Sequence, residues 1–278
     1  MIKYLISTVV FLCSLGSACV LANNYPLTPA PDRVNNIAAL QNGAKLFVNY
    51  CLNCHSASSM RYSKLRDLGL TDEQIAANLL FTGEKIGDMM NIAMTPADAK
   101  KWFGTVPPDL SVLARATSTT AGPSGADYIY TYMRTFYRDT SRPMGWNNLV
   151  SPNVAMPHVL WERQGPRELT TVSMQKDVDG SWKRRIITYD EQGFAQIKQE
   201  PVANFRGQAT LEADFKALDP HKAASFDNDV ADLTAFLSWM AEPNQLFRKQ
   251  VGVWVMLFLG LFLLVAWRLS ASYWKHVR

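Results

Sequence analysis

The chain has 278 residues, with 28 Lys and Arg, 24 Asp and Glu, and a formal net charge of +4. Six of the basic residues and none of the acidic ones lie outside residues 23 to 247, so this central part has 22 basic against 24 acidic residues and a net charge of −2. A central domain with no excess of basic residues is not expected to bind nucleic acid. The length is sufficient for one domain of ordinary size with appended segments.

Residues 1 to 22 have the features of a secretory signal peptide. Lys3 precedes an apolar run, and Val20-Leu21-Ala22 at its end fits a cleavage site. Cys19 leaves a lipoprotein signal as an alternative, although Gly16 stands where that signal has leucine. We therefore expect an exported domain that begins at residue 23.

Residues 36 to 50 are predicted to form an amphipathic helix, which leads into the sequence Cys-Leu-Asn-Cys-His at residues 51 to 55. The thiols of Cys51 and Cys54 can each add to a vinyl group of a haem, and His55 can reach the iron from the same side. A thiol redox pair would follow a strand, and a zinc site needs more ligands than one C-x-x-C provides. The motif therefore predicts one covalently attached haem c.

Further helices are predicted at residues 72–80, 96–101 and 127–137. Charged and β-branched residues alternate from 165 to 200, and Asp179-Gly180 is a hairpin signal between residues 171–178 and 182–189. These patterns predict a mostly α, cytochrome c-like domain with long loops and a small surface β insertion.

The last helix of the domain is predicted at residues 228 to 242, with Asp227 or Asn228 as its cap and Pro243 at its end. The terminal helices of small cytochromes c cross beside the haem, and we expect such a crossing between this helix and residues 36 to 50. The expected contact involves Gly43, Phe47, Phe236 and Met240.

Residues 248 to 267 are predicted to form a transmembrane anchor. No charged residue occurs from Gln250 to Trp267, and 18 helical residues span about 27 Å, close to the thickness of a bilayer core. A buried helix is the alternative, but all faces of this segment are apolar. Because haem c is attached outside the cytoplasm, we expect residues 23–247 on the periplasmic side of a bacterial inner membrane and the basic tail, 268–278, in the cytoplasm.

The second axial position of the iron requires a further ligand such as Met or His. Met156 lies in a non-helical stretch that Pro157 stiffens, so its thioether can approach the haem from a loop. Met144, which follows Pro143, and His158 remain alternatives from the residues alone.

The chain resembles the cytochrome c1 family, the haem-bearing subunits of bacterial ubiquinol–cytochrome c reductase complexes. The resemblance covers nearly all of the chain after the signal peptide. It rests on motifs in a fixed order: Cys51-x-x-Cys54-His55, Met60-Arg61-Tyr62, Pro107-Pro108-Asp109-Leu110-Ser111, Gly125-Ala126-Asp127-Tyr128, Ala155-Met156-Pro157 and Trp239-Met240-Ala241-Glu242-Pro243 before the anchor.

The resemblance implies that Met156 is the sixth ligand of the iron. It also implies that three residues wall the haem pocket with Tyr128 nearby: Pro107, Pro108 and Leu110. The family usually has Arg-Ala-Arg where this chain has Arg115-Ala116-Thr117, and the second Arg faces a haem propionate. Either Arg115 reaches the propionate from a different place, or Thr117 leaves that charge to solvent or to another residue.

By the same resemblance, the chain is expected to pass single electrons from a Rieske iron–sulfur protein to a soluble cytochrome c or an equivalent carrier, with no catalytic site of its own. The other expected partners are a cytochrome b subunit and membrane lipid, in a dimeric complex. One alternative is a free-standing, membrane-anchored cytochrome c that feeds a terminal oxidase. Another is a haem enzyme or gas sensor with an open iron site.

Overall fold

The computed structural model describes residues 25–120, 122–177, 181–203, 205–207 and 209–276. The predicted signal peptide and the Asp179-Gly180 turn lie outside the described residues. The α-helices are α1 (Ile37–Leu46), α2 (Asp72–Asn78), α3 (Pro96–Phe103), α4 (Leu113–Ala116), α5 (Gly125–Arg134), α6 (Trp161–Gln164), α7 (Pro220–Ala241) and α8 (Gln245–Tyr273). The strands are β1 (Ala57–Arg61), β2 (Met89–Met90), β3 (Phe136–Arg138), β4 (Trp146–Asn148), β5 (Arg167–Lys176), β6 (Trp182–Tyr189), β7 (Ala195–Val202) and β8 (Thr210–Ala217).

Helix α1 begins where the side chain of Asn36 accepts a hydrogen bond from the backbone N–H of Ala39, at 3.2 Å. It continues without a break into a π-helical turn, Phe47–Cys51, so the predicted helix at 36–50 is confirmed. A π turn inserts one extra residue and is common beside functional sites. Here it ends at Cys51 and so sets the direction in which the C-x-x-C-H motif leaves the helix.

Helix α7 starts earlier than the sequence predicted. The side chain of Asp219 caps it by accepting from the backbone N–H groups of His221 and Lys222, and Pro220 fills the first helical position, which lacks a hydrogen-bonded N–H in any helix. The predicted cap at Asp227 or Asn228 was wrong, because both residues lie inside the helix. The carboxylate of Asp227 instead receives hydrogen bonds of 2.7 and 2.9 Å from Arg134.

Helix α5 ends before the predicted boundary at residue 137. A capping box between Ser124 and Asp127 starts it at Gly125, and residues 136–138 pair as β3 with β4 instead of continuing the helix. The β-branched and aromatic residues Thr135, Phe136 and Tyr137 favour this change to extended backbone. Consequently the chain turns back after α5 and returns through β4 towards the loop that contains Met156.

The predicted β insertion is confirmed and is larger than expected. Strands β5 and β6 form the predicted antiparallel hairpin, and they are part of a four-stranded antiparallel sheet of order β7-β6-β5-β8. The sheet therefore extends to Ala217, beyond the predicted limit at residue 200. It contacts β3 through an aromatic pair, Tyr137 and Tyr189, whose ring centroids are 4.8 Å apart.

The core of the domain lies where α1 crosses α7. Gly43 allows the close approach, since a Cβ built at this position would lie 2.6 Å from Cβ of Phe236. Phe47 lies one turn further on, at the start of the π-helical turn, and its ring is 5.6 Å from that of Phe236. The predicted crossing of the two terminal helices is confirmed at these residues, and it fixes the end of α1 relative to α7.

Helix α8 has 29 residues, and none of them is buried. It is long and apolar enough to cross a membrane, with a mean hydropathy of 2.2 over its most apolar window, and it is the one helix of this kind in the described ranges. Within the described residues its large apolar side chains stay exposed, although two of them, Phe258 and Phe262, stack on one another. Exposed apolar faces are expected of an anchor surrounded by lipid. The mostly α fold with a C-terminal membrane helix is thus confirmed.

Candidate haem site

The C-x-x-C-H motif forms a tight turn at the end of α1. The backbone N–H groups of Cys54 and His55 both donate to the carbonyl oxygen of Cys51, at 3.0 and 2.9 Å. The two cysteines form no disulfide bond. Burial raises the pKa of the Cys51 thiol to about 12 and also raises that of Cys54. A redox-active thiol has a lowered pKa instead, so the surroundings argue against a thiol redox pair.

Two adjoining cavities lie against this turn. The larger has a volume of about 480 Å³ and the smaller about 60 Å³. Cys51, His55 and Met156 line both of them. The larger volume is in the range of cofactor pockets. The shared residues show that the imidazole and the thioether both border both cavities.

The walls of the larger cavity are mainly aliphatic and aromatic. They come from the loop after α3, from the loop that contains Met156, and from α4, α5 and α7. The principal apolar wall residues are Val106, Pro108, Leu110, Leu113, Tyr128, Ile129, Tyr132, Met133, Val154, Leu233 and Leu237. Another cavity, of about 610 Å³, lies near Trp161 and Lys222 and is lined by several charged side chains. The two adjoining cavities at the motif together have both thiols, an imidazole and apolar walls, with Cys54 on the smaller cavity and Cys51 on both. The residues present there therefore fit a haem.

His55 is held by one hydrogen bond that determines which of its nitrogens is free. Its Nδ1 lies 2.8 Å from the carbonyl oxygen of Pro108, and since a carbonyl can only accept, Nδ1 carries the proton and Nε2 keeps its lone pair. Burial lowers the pKa of His55, against smaller opposing effects of the Pro108 hydrogen bond and the Asp109 carboxylate. The ring is therefore neutral near pH 7, as a metal-ligating imidazole must be.

The loop at residues 107–111 is fixed to the chain just after the motif. The N–H of Leu110 donates to the carbonyl of Ser56 at 2.8 Å, and the carboxylate of Asp109 accepts from the N–H groups of Ser58 and Ser111, both at 2.8 Å. Burial alone would raise the pKa of Asp109, but these hydrogen bonds hold it below its usual value. The Pro108 carbonyl is thus positioned for His55 by several bonds.

The Met156 loop is shaped by two buried asparagines that the sequence analysis missed. The side-chain oxygen of Asn148 accepts from the backbone N–H groups of Val150 and Ser151, at 2.9 and 3.1 Å. That of Asn147 accepts from Asn153 at 2.8 Å. Asn side chains often replace backbone partners in loops in this way, and the run Trp-Asn-Asn before Ser151-Pro152 was the available signal.

The three candidates for the second axial position have different surroundings. Met156 lines both cavities, whereas Met144 is 38% exposed and lines neither of the two. His158 is 1% exposed and lies among aromatic rings, stacked on Phe136 at 4.8 Å. Met133 also lines the larger cavity, but not the smaller one that His55 shares with Met156.

The remaining predicted site residues are divided between the two cavities and the surface. Pro107 lines the smaller cavity, while Pro108, Leu110 and Tyr128 line the larger one. Arg115 is exposed and lines neither, and its contact with a propionate stays a prediction.

On the surface Arg115 lies near Glu242. The pKa of that carboxyl is lowered, first by a hydrogen bond from Arg248, and the charge of Arg115 adds to the effect. Thr117 does line the larger cavity, but its hydroxyl donates to the carbonyl of Leu113 at 2.8 Å. Neither residue therefore offers a positive charge to the cavity.

Tyr132 is a further cavity residue that the sequence analysis did not identify. Its hydroxyl lies 3.6 Å from Sδ of Met156, and burial raises the pKa of its phenol, with the neighbouring Tyr128 adding to the effect. On α5 it lies four residues after Tyr128, so the two share a helix face. This spacing was the signal that could have revealed it.

Residues 33–179 and 188–277 match the model of the Cytochrome C1 family. Proteins of this family carry one covalently bound haem c. They transfer electrons in a bc1-type complex, which also contains cytochrome b and a Rieske protein.

Among similar proteins, the "Ammonia monooxygenase gamma subunit" of Nitrosomonas europaea is 37% identical over 278 residues, which are 100% of this chain and 99% of that protein. "Cytochrome c1" of Allochromatium vinosum is 39% identical over 241 residues, 86% of this chain and 85% of the relative. "Cytochrome b/c1" of Bradyrhizobium diazoefficiens is 25% identical over 260 residues, 81% of this chain and 31% of the relative. By the family match and by its identity to the Allochromatium protein over most of both chains, this chain belongs to the cytochrome c1 family.

Proposed function

We propose that this chain binds haem c through thioether bonds from Cys51 and Cys54, with His55 and Met156 as the two axial ligands of the iron. The observation that carries the proposal is the position of the imidazole and the thioether on the same pair of adjoining cavities, next to the Cys51 thiol. Haem c supplies a one-electron couple when bound in this way.

Each protein group has a definable role in that transfer. The carbonyl of Pro108 holds the proton of His55 on Nδ1, so the Nε2 lone pair would be free to bind the iron, and the hydrogen bond would make the ring a better donor. The thioether of Met156 raises the reduction potential relative to a second imidazole. The apolar side chains of Leu233 and Leu237 keep water away from the same cavity.

We propose further that electrons arrive from the Rieske iron–sulfur protein and leave to a soluble cytochrome c or an equivalent carrier. A potential raised by Met156 suits a donor to such a carrier. Val106 lines the larger cavity and is 47% exposed, so this wall reaches the protein surface. An apolar wall that meets solvent suits the small, short-lived interfaces of electron-transfer partners.

Helix α8 is proposed to lie in the inner membrane against the cytochrome b subunit and lipid, with the haem domain on the periplasmic side and the complex dimeric. The exposed apolar surface of α8 supports a membrane environment. The name of the Bradyrhizobium relative, "Cytochrome b/c1", supports a cytochrome b partner. A free-standing anchored cytochrome shares the haem chemistry, and membership of the cytochrome c1 family favours the complex instead.

Purification from native membranes tests the proposal. A chain tagged at its C-terminus is extracted in mild detergent, and its partners and the reduction of its haem by quinol are measured. We expect cytochrome b and Rieske subunits to co-purify, and an inhibitor of Rieske reduction to prevent quinol from reducing haem c. A chain that purifies alone, with its haem still reduced through the membrane, would support the free-standing alternative.

A further inference from the structure

The hydroxyl of Tyr132 makes one contact that the proposed function leaves unexplained. It lies 3.6 Å from Sδ of Met156 and is oriented to donate a hydrogen bond. Sulfur is larger and more diffuse than oxygen, so its hydrogen bonds are longer than those to oxygen. A phenol is protonated at neutral pH, and it is therefore available as a donor.

The packing of α5 fixes the direction of this hydroxyl. The ring of Tyr132 packs edge-on against Phe136, with centroids 5.2 Å apart, and parallel to Tyr128 at 5.8 Å. The side chain is half-buried and lines the larger cavity. A ring held on two sides by other rings keeps its hydroxyl at one place in the cavity.

The loop that carries Met156 is tied to the same turn of α5. Asn148 donates through Nδ2 to the carbonyl of Tyr132 at 2.7 Å, and its side-chain oxygen accepts from Val150 and Ser151. One buried side chain thus connects the residue that carries the hydroxyl with the segment that leads to the thioether. The distance from hydroxyl to sulfur is therefore set by hydrogen bonds on both sides.

We propose that Tyr132 is a positioning residue for Met156, whose hydroxyl donates to one lone pair of Sδ and leaves the other for the haem iron. This inference rests on the proposed role of Met156 as an axial ligand. A hydrogen bond to the sulfur withdraws electron density from it, so the thioether stabilises the ferric state less. The bond also restrains rotation of the Met156 side chain away from the cavity.

The test is the Tyr132→Phe variant of the full-length, haem-loaded protein. This change removes the hydroxyl and keeps the ring. A neutral hydrogen bond has a modest net free energy, which corresponds to about a three- to tenfold change in an equilibrium constant. We therefore expect the equilibrium constant for one-electron reduction to fall by this factor, and for a one-electron couple tenfold is about 59 mV.

Tyr130→Phe is the matched control. Tyr130 is on the same helix, but it does not line either haem cavity, and its ring faces the guanidinium of Arg134 at 4.8 Å. The same chemical change at Tyr130 is expected to leave the potential unchanged. If Tyr132→Phe also has the wild-type potential, Tyr132 is only a wall residue and the inference is wrong.

Two further measurements separate the inference from the proposed function. Magnetic circular dichroism of the oxidised wild-type protein reports the thioether ligand directly, and its absence would overturn both the ligand role of Met156 and this inference. If Tyr132→Phe fails to bind haem, NMR of the reduced wild-type protein is decisive. We expect a slowly exchanging phenol proton close to the Met156 methyl group, and a freely exchanging one would refute the hydrogen bond.

Discussion

Replacing Gly43 with alanine tests whether the crossing of α1 and α7 holds the haem motif in place. A Cβ at this position would lie 2.6 Å from Cβ of Phe236 and 2.9 Å from the carbonyl carbon of Asp232, with the carbonyl oxygen of Asp232 closer still. Carbon atoms in contact normally lie about 3.5–4.0 Å apart. The Asp232 carbonyl belongs to the backbone of α7, so the two helices must move apart to admit the methyl group.

The expected cost is the difference between two effects. Alanine is favoured over glycine inside a helix by up to about 1 kcal/mol, whereas overpacking a core costs about 1–3 kcal/mol and sometimes more. A clash with the backbone places Gly43→Ala at the upper end of that range. We therefore expect the free energy of unfolding to fall by about 2 kcal/mol, which for a domain of this size lowers Tm by about 4–8 °C.

The assay is thermal unfolding of the haem-loaded protein in detergent, followed by the haem absorbance and by far-ultraviolet circular dichroism. Gly87→Ala is the control, because a Cβ at Gly87 would meet no heavy atom within 4 Å, and it should change stability by less than about 0.5 kcal/mol. A Gly43→Ala variant that unfolds at the same temperature as the wild type would show that the helices tolerate separation, and would refute the reasoning.

Three other changes address the ligand loop and its support. Met156→Ala should lower the reduction potential and let carbon monoxide bind the reduced haem, whereas Met144→Ala should do neither. An unchanged potential in a redox titration of Met156→Ala would show that Met156 is not a ligand of the iron. Asn148→Ala should lower the free energy of unfolding by about 2–3 kcal/mol, since it leaves buried backbone groups unpaired; an unchanged denaturation midpoint would contradict this. Asp139→Asn should cost about 1–2 kcal/mol at neutral pH, because the carboxylate accepts hydrogen bonds from Ser141 and Asn147. Burial opposes ionisation of Asp139, but these bonds hold its pKa below the usual value. The stability that the ionised carboxylate contributes is therefore present above about pH 4 and is lost as the pH falls through the lowered pKa. Denaturant titrations of the variant and the wild type at several pH values measure this, and a stability difference that persists in strong acid would contradict it.

The parts of the structure that were predictable from the sequence are those with a strong local pattern. The motif at residues 51 to 55, the amphipathic repeat before it and the long apolar run of α8 each depend on near neighbours in the chain. The hairpin of β5 and β6 is of the same kind, since alternation and a turn signal determine it locally. Met156 was favoured because a proline follows it, and the structure places it on both cavities.

The parts that were missed depend on contacts between distant residues. Asp227 is a residue type that often caps helices, but Asp219 caps α7 and Asp227 lies inside the helix, where it pairs with Arg134 of α5. Strand β8 has an alternating pattern, Thr-Leu-Glu-Ala-Asp-Phe-Lys-Ala, that was overlooked because its partner is β5, far away in the chain.

The cavity side of α5 is a similar case. Apart from its spacing from Tyr128, nothing in the local sequence distinguishes Tyr132 from other helix residues. In the folded chain, Sδ of Met156, 24 positions later, lies 3.6 Å from its hydroxyl. No local pattern specifies such a pairing, because it depends on how the chain returns through β3 and β4. Arg115, one of the two residues considered for the haem propionates, lies on the surface, and its contact with a propionate stays a prediction.

Near-infrared magnetic circular dichroism of the oxidised protein is the most direct test of the proposed haem site, because the charge-transfer band of ferric haem depends on both axial ligands. We expect the signature of one imidazole and one thioether for a single haem per chain at neutral pH. A spectrum of two nitrogen ligands, or of a five-coordinate iron, would contradict the assignment of His55 and Met156.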